Sequence, residues 1–286
     1  YHILSDLGIE RENYRKIALN ICDFAVQHQQ ENGLIGKAWY NNGELAQADG
    51  SSGSYMVWVL CQGFAETNEN RYFDSAEKGF TYYYDQFSKN GYSTAGALDT
   101  CCIDKESAMP LLDCAIFLYE KTGAKHYLQS AIEIGEYLAT WQYHYDVKFP
   151  SNSILASLNY STRGGTAVST QHHHIDCYGL YFFHAYLKLS EYTQNEIWYQ
   201  RAIALWNNAC NLISDGNLII KGQRRPRGSQ DEGFLQTRWH TTKGEYFGVS
   251  EWLVVWNTAF RLQILRNPKL NKILEEFSKN PQNSMS

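Results

Sequence analysis

Proline is scarce, with five in 286 residues, too few to interrupt the long segments whose apolar residues recur at three- and four-residue spacing. Helix is therefore the dominant expectation. Strand-like alternation is also rare, apart from a short Leu218–Ile220 piece. A continuous apolar run of about 18 residues is missing, so no membrane span is expected. Positive charge is not in excess either. Lys and Arg total 25 against 30 acidic residues, a net charge of −5, which offers nucleic acid no electrostatic footprint. No CxxC, GxGxxG, P-loop GKS/GKT, GxSxG or HExxH occurs, which removes the common zinc, nucleotide, serine-hydrolase and zincin signatures.

Seven cysteines are present, an odd number, most of them in apolar helical stretches. Buried thiols in a reducing compartment, and hence a cytoplasmic protein, are expected over a disulfide framework. The chain does not begin with Met, so a removed leader or longer N-terminal portion stays open. Aromatics are abundant, with 21 Tyr, 13 Phe and 8 Trp. Most serve helix packing. Those in loops beside polar clusters are suited to stacking on sugar rings.

The spacing predicts helices over 10–31, 51–66, 70–88, 104–121, 125–144, 172–191, 195–213, 246–266 and 269–278. A repeat runs through them. Thr67 is followed by Tyr72 and Ala76, Thr122 by Tyr127 and Ala131, and Thr193 by Trp198 and Ala202. The aromatic-x-x-x-Ala half recurs as Tyr14 and Ala18. Each copy reads as a tight turn and a helix with aromatic and alanine on one face. Repeated helix pairs imply an all-α fold, a solenoid or a closed α/α toroid, taken as a single domain over 1–286. Helix 10–31 matches the second helix of a hairpin, so its partner is expected before Tyr1 and the toroid is expected to be incomplete at its N-terminus.

Turns inside hairpins are short and the connections between them are long: 32–50, 89–103, 145–171 and 214–245. In such a stack the long connections emerge at one end, where they carry the site. The first offers Trp39 and Asp49, and the second Asp104-Lys105-Glu106-Ser107. Asp49 and Asp104 also read as plain helix caps. The third offers Gln171-His172-His173-His174-Ile175-Asp176, with His172 and Asp176 on one helical face. Consecutive histidines fan out around a helix and do not converge on one point, so no metal is expected. The fourth offers Arg224, Arg225, Trp239 and His240, then Glu251-Trp252 at the start of a long helix. Forked arginine contacts there suit an acidic sugar.

ADGSSG (48–53), DKES (104–107), TWQYHYD (140–146), RGGTAVSTQHHHID (163–176) and GQRRPRG (222–228), set on the helix-pair repeat, resemble bacterial six-hairpin (α/α)6-toroid glycosidases, the group that includes unsaturated glucuronyl hydrolases and glucuronidases. The resemblance implies a site in the toroid mouth, with acidic residues at helix starts as acid and base. By position these are Asp49, Asp104, Glu106 and Asp176. The expected function is hydrolysis of a uronic-acid-containing oligosaccharide, without a cofactor. Trp39, Lys105, Gln171, His172, His173, Arg224, Arg225, Trp239, His240 and Trp252 are the expected substrate-binding residues. Two other readings stay open: an epimerase or polysaccharide lyase on the same fold using His and Tyr proton transfer, and a non-catalytic carbohydrate-binding helical repeat. Oligomeric state is left open.

Overall fold

The computed structural model describes residues 1, 7–9, 11–94, 102–171, 174–236 and 248–279. The chain divides into two compact units, Tyr1–Tyr137 and Leu138–Ser286.

In the first unit, α1 (Glu12–His28) leads to the short antiparallel pair β1 (Ala38–Trp39) and β2 (Leu45–Gln47). Helices α2 (Ser54–Thr67) and α3 (Asn70–Asn90) form a hairpin. A second antiparallel pair, β3 (Ser93–Thr94) and β4 (Ile103–Asp104), precedes the hairpin of α4 (Ala108–Thr122) and α5 (Lys125–Thr140), and the unit boundary falls inside α5. Helix α4 is buried on every side from Ala108 through Leu118, a stretch that is apolar apart from Asp113. A helix of that kind belongs in a core, where each Leu or Phe contributes about 1.5–3 kcal/mol by leaving water.

The threonine of the repeat has a physical role. Thr67 Oγ1 donates to the carbonyl of Gly63 at 2.8 Å and accepts from the N–H of Glu69 at 3.2 Å. Thr122 makes the same two bonds with Leu118 and Ala124, and Thr193 with Leu189 and Asn195. The residue after each threonine is left-handed: Asn68 at φ 58°, Gly123 at 69° and Gln194 at 55°. One hydroxyl thus closes the end of one helix and starts the next.

The second unit holds the short helix α6 (Ile154–Ser157), β5 (Thr166–Ala167), β6 (Ile175–Asp176), a 3-10 turn at Tyr178–Phe182, and the hairpin α7 (Phe183–Thr193) and α8 (Glu196–Ala209). The hairpin β7 (Ile219–Ile220) and β8 (Gln223–Arg224) follows, then β9 (Asp231–Gln236), β10 (Gly248–Leu253), α9 (Trp256–Leu265) and α10 (Pro268–Lys279). A four-stranded antiparallel sheet runs in the order β10-β9-β6-β5. Leu155, Tyr160, Ile175, Ile220, Phe234, Leu235 and Val249 form a buried apolar cluster with it. The third and fourth connections are therefore not bare loops; they fold together around a core of their own.

That sheet overturns two expected helix starts. The helix expected from 172 begins at Phe183, because Ile175 is paired to both Ala167 and Phe234, and Asp176 faces Thr166 across the ladder. The helix expected from 246 begins at Trp256, because Gly248–Leu253 pairs with β9. Smaller corrections fall at 51, 104 and 144, where α2 starts at Ser54, α4 at Ala108, and α5 ends at Thr140.

Candidate active site

The first unit gathers the first two long connections at one place. The N–H of Ser51 donates to the carbonyl of Thr94 at 2.9 Å, and Thr94 returns its N–H to Ser51 Oγ at 3.2 Å. Thr94 pairs with Ile103, and Ser93 with Asp104. The Asp104-Lys105-Glu106-Ser107 turn then lies buried between this pair and α4, with Asp104, Lys105 and Ser107 at 0% exposure and Glu106 at 9%.

Four hydroxyls from three elements hold the turn by its backbone. Ser93 Oγ donates to the Asp104 carbonyl at 2.8 Å, and the Tyr137 phenol on α5 donates to the same oxygen. Tyr55 Oη on α2 donates to the Glu106 carbonyl at 3.2 Å, and its neighbour Ser54 Oγ to the Ser107 carbonyl at 2.8 Å. The Asp104 carboxylate accepts from the Ser107 N–H and from Ser93 Oγ, each at 3.4 Å. Asp104 is therefore a strand residue whose carboxylate reaches into the turn, and not the cap of a helix starting at 104. Burial, and then the charges of Glu106 and Asp104, push the Tyr55 phenol up, so it keeps its proton at neutral pH.

Asp49 differs from this pair. It is exposed, it lies before a helix whose cap position is Gly53, and Gln47 donates to its Oδ2 at 3.3 Å. Trp39 sits edge-on to Phe24 with centroids 5.4 Å apart, and its indole N–H is buried with no acceptor among the described residues.

In the second unit Asp176 is buried on β6, and its Oδ1 accepts the N–H of Tyr178 at 2.9 Å, turning the chain into the 3-10 segment. The shared helical face expected for His172 and Asp176 is thus replaced by a strand and a turn. His172, His173, Trp239 and His240 lie outside the described residues. His174 is buried against Gly233, where a Cβ would come within 2.2 Å of its ring. Gln171 donates its N–H to Ser169 Oγ at 3.2 Å. Trp252 lies in β10, not at a helix start.

The basic segment divides. Arg224 is exposed and donates to the Gly216 carbonyl at 3.0 Å. Arg225 is buried, and its fork makes two 2.9 Å bonds to Asp231, so the group expected to grip a ligand carboxylate is engaged by an internal one. Asp231 was not among the residues singled out from sequence, and a lone acid six residues along gives no local signal of that pairing. Among the described residues, no cluster of three or more His, Cys, Asp or Glu is arranged to hold a metal ion.

No family model and no curated relative matches the chain. Among solved structures it is similar to an unsaturated glucuronyl hydrolase from Streptococcus agalactiae, over 82% of this chain and 52% of that one, at 12% identity and a TM-score of 0.52. It is also similar to a family 76 glycoside hydrolase (mannosidase) from Bacteroides thetaiotaomicron, over 70% and 54%, at 15% identity and a TM-score of 0.45. The chain spans about half the length of these structures. The first likeness shows the fold, the α/α toroid type built of helical hairpins.

Proposed function

We propose that the chain belongs to a glycoside hydrolase and that the buried Asp104–Glu106 turn supplies its proton donor. The observation that carries this reading is the burial of two carboxyl groups and one amine in a single turn fixed by four hydroxyls. Burial disfavours the charged form of a carboxyl group, which is what protonation of a glycosidic oxygen asks of its donor. A rigid backbone holds that group in place without reorganisation. Asp104 is assigned as the donor because Ser93 and the Ser107 N–H fix the position of its carboxyl group. Asp49 is the remaining candidate of the first unit for the group that activates water.

The glucuronyl hydrolase likeness supports a uronic-acid-containing oligosaccharide as substrate. The test is turnover of a panel of aryl-glycosides and uronate oligosaccharides by the parent chain, Asp104→Asn, Glu106→Gln and His173→Ala. Asp104→Asn is expected to lose about 100-fold or more in kcat while its circular dichroism is unchanged. Full activity in Asp104→Asn with none in His173→Ala overturns the assignment in favour of proton transfer by histidine.

A further inference from the structure

Two hydroxyls share one acceptor in the Asp104 turn. Ser93 Oγ donates to the Asp104 carbonyl oxygen at 2.8 Å, and the Tyr137 phenol on α5 donates to the same oxygen. The Ser93 N–H in turn donates to the Tyr137 hydroxyl at 3.4 Å, so the two donors are tied to one another. The same Ser93 hydroxyl stands 3.4 Å from Asp104 Oδ1. It has one proton and two acceptors on a single residue.

The two distances differ in kind. The 2.8 Å bond to the carbonyl has an ordinary length, whereas an ionised carboxylate draws a hydroxyl donor in to about 2.5–2.7 Å. The 3.4 Å contact to Oδ1 therefore has room to shorten, and the Ser107 N–H reaches the same oxygen at 3.4 Å. A carbonyl oxygen carries two lone pairs, so with Tyr137 on one of them it stays bonded when Ser93 leaves the other. Ser93 is 1% exposed and paired with Asp104 across the β3–β4 ladder. Its hydroxyl is shielded from bulk water, and the ladder keeps donor and acceptor together.

Resting on the reading of Asp104 as the proton donor, we infer that Ser93 is its positioning residue. The Ser93 hydroxyl turns from the Asp104 carbonyl to the carboxylate as the acid gives up its proton, and Tyr137 holds the carbonyl it leaves. The Asp104 O–H bond breaks and its proton passes to the glycosidic oxygen, which also takes the electron pair of the breaking C–O bond. The electron pair of the O–H bond stays on the carboxylate, and Ser93 keeps its own proton while bonding to it. A bond made only to the ionised form favours the transfer. The other titratable groups of the turn and of the elements packed on it are Lys105 and Glu106, Cys102 just before β4, Tyr55 on α2 and Tyr137 on α5, with the buried Asp113 further along α4. Of these only Tyr137 is altered in the test.

The experiment is a carbon-13 NMR titration of the full chain labelled at the aspartate carboxyl carbon, with Asp104→Asn assigning the resonance. Ser93→Ala is expected to raise the proton affinity of Asp104 about tenfold, because a bond to the charged form is lost. Tyr137→Phe keeps its ring edge-on to Phe87 and is expected to shift the midpoint the same way by less, since Ser93 is then held at the carbonyl. The double variant is expected to match Ser93→Ala alone, a coupling that two independent structural roles would not produce. A midpoint indifferent to Ser93→Ala, a double variant in which the two shifts add, or a carboxyl that does not titrate while the chain is folded overturns the inference. Turnover separates it from the donor reading, with Ser93→Ala expected to lower kcat about tenfold at unchanged KM. An active Asp104→Asn removes the donor and the inference together, whereas an inactive Asp104→Asn with unmoved midpoints overturns the part given to Ser93 alone.

Discussion

Ser54 and Ser107 stand 53 residues apart in the chain, yet the Ser54 hydroxyl donates to the Ser107 carbonyl oxygen at 2.8 Å inside the first unit. The bond ties the start of α2 to the start of α4. Both residues are wholly buried. Ser54→Ala is expected to cost about 1 kcal/mol, the net contribution of one such hydrogen bond. Urea denaturation should read this as a lower midpoint with an unchanged slope; an unchanged midpoint would sink the prediction.

Gly53, beside it, has no room for a side chain. A Cβ there would stand 1.7 Å from the phenolic oxygen of Tyr83, which itself accepts the N–H groups of Ile35 and Gly36 at 3.2 and 3.0 Å. Gly53→Ala is expected to destabilise the chain by about 1–3 kcal/mol or more through overpacking. Thermal melting measures it, and a variant as stable as the parent would contradict the geometry.

Arg225 and Asp231 form the best-buried ion pair described, at 4% and 1% side-chain exposure. Removing one partner leaves a charge stranded, so Arg225→Met is expected to cost about 3–5 kcal/mol. The double variant Arg225→Met/Asp231→Leu should recover a large part of that loss. If the double variant is no better than the single one, the cost lies in packing and not in the uncompensated carboxylate.

Asp146 titrates below the ordinary aspartate range. The Ser161 hydroxyl, donating at 2.6 Å, is the largest cause, and the Arg163 N–H and guanidinium add to it against a smaller burial effect. A depressed folded-state value means that its stabilisation is complete above the unfolded aspartate value and is lost as pH falls through the lower folded one. An NMR titration of the Asp146 carboxyl should show a low midpoint that Ser161→Ala moves upward. A midpoint indifferent to Ser161 would remove the hydrogen bond as its cause.

The hairpins were legible because their signal is local. Thr67, Thr122 and Thr193 each complete a turn with partners four residues back and two ahead, so the pattern can be read within a short window. The sheet was not, because β5 and β6 are two residues each and Ile175 is placed by Ala167 and Phe234, not by its neighbours. The same division runs through the candidate site. The charge run at 104–106 stood out because Asp, Lys and Glu follow one another directly after a Cys-Cys-Ile step. Ser54, Tyr55, Ser93 and Tyr137, which hold that run, are 11 to 53 residues away from their acceptors, and no local periodicity marks them. Arg225 misled for the same reason: its acceptor lies on the next strand.

The three threonine turns carry a kinetic implication. Each closes with bonds that span only a few residues, so a hairpin can zip up before any distant contact exists. Nucleation is then open to several points along the chain at once, and a nascent polypeptide can lock each helix pair as it emerges. The buried acidic turn cannot start that early, because its donors come from both flanking hairpins. That turn is completed only once both hairpins around it are in place.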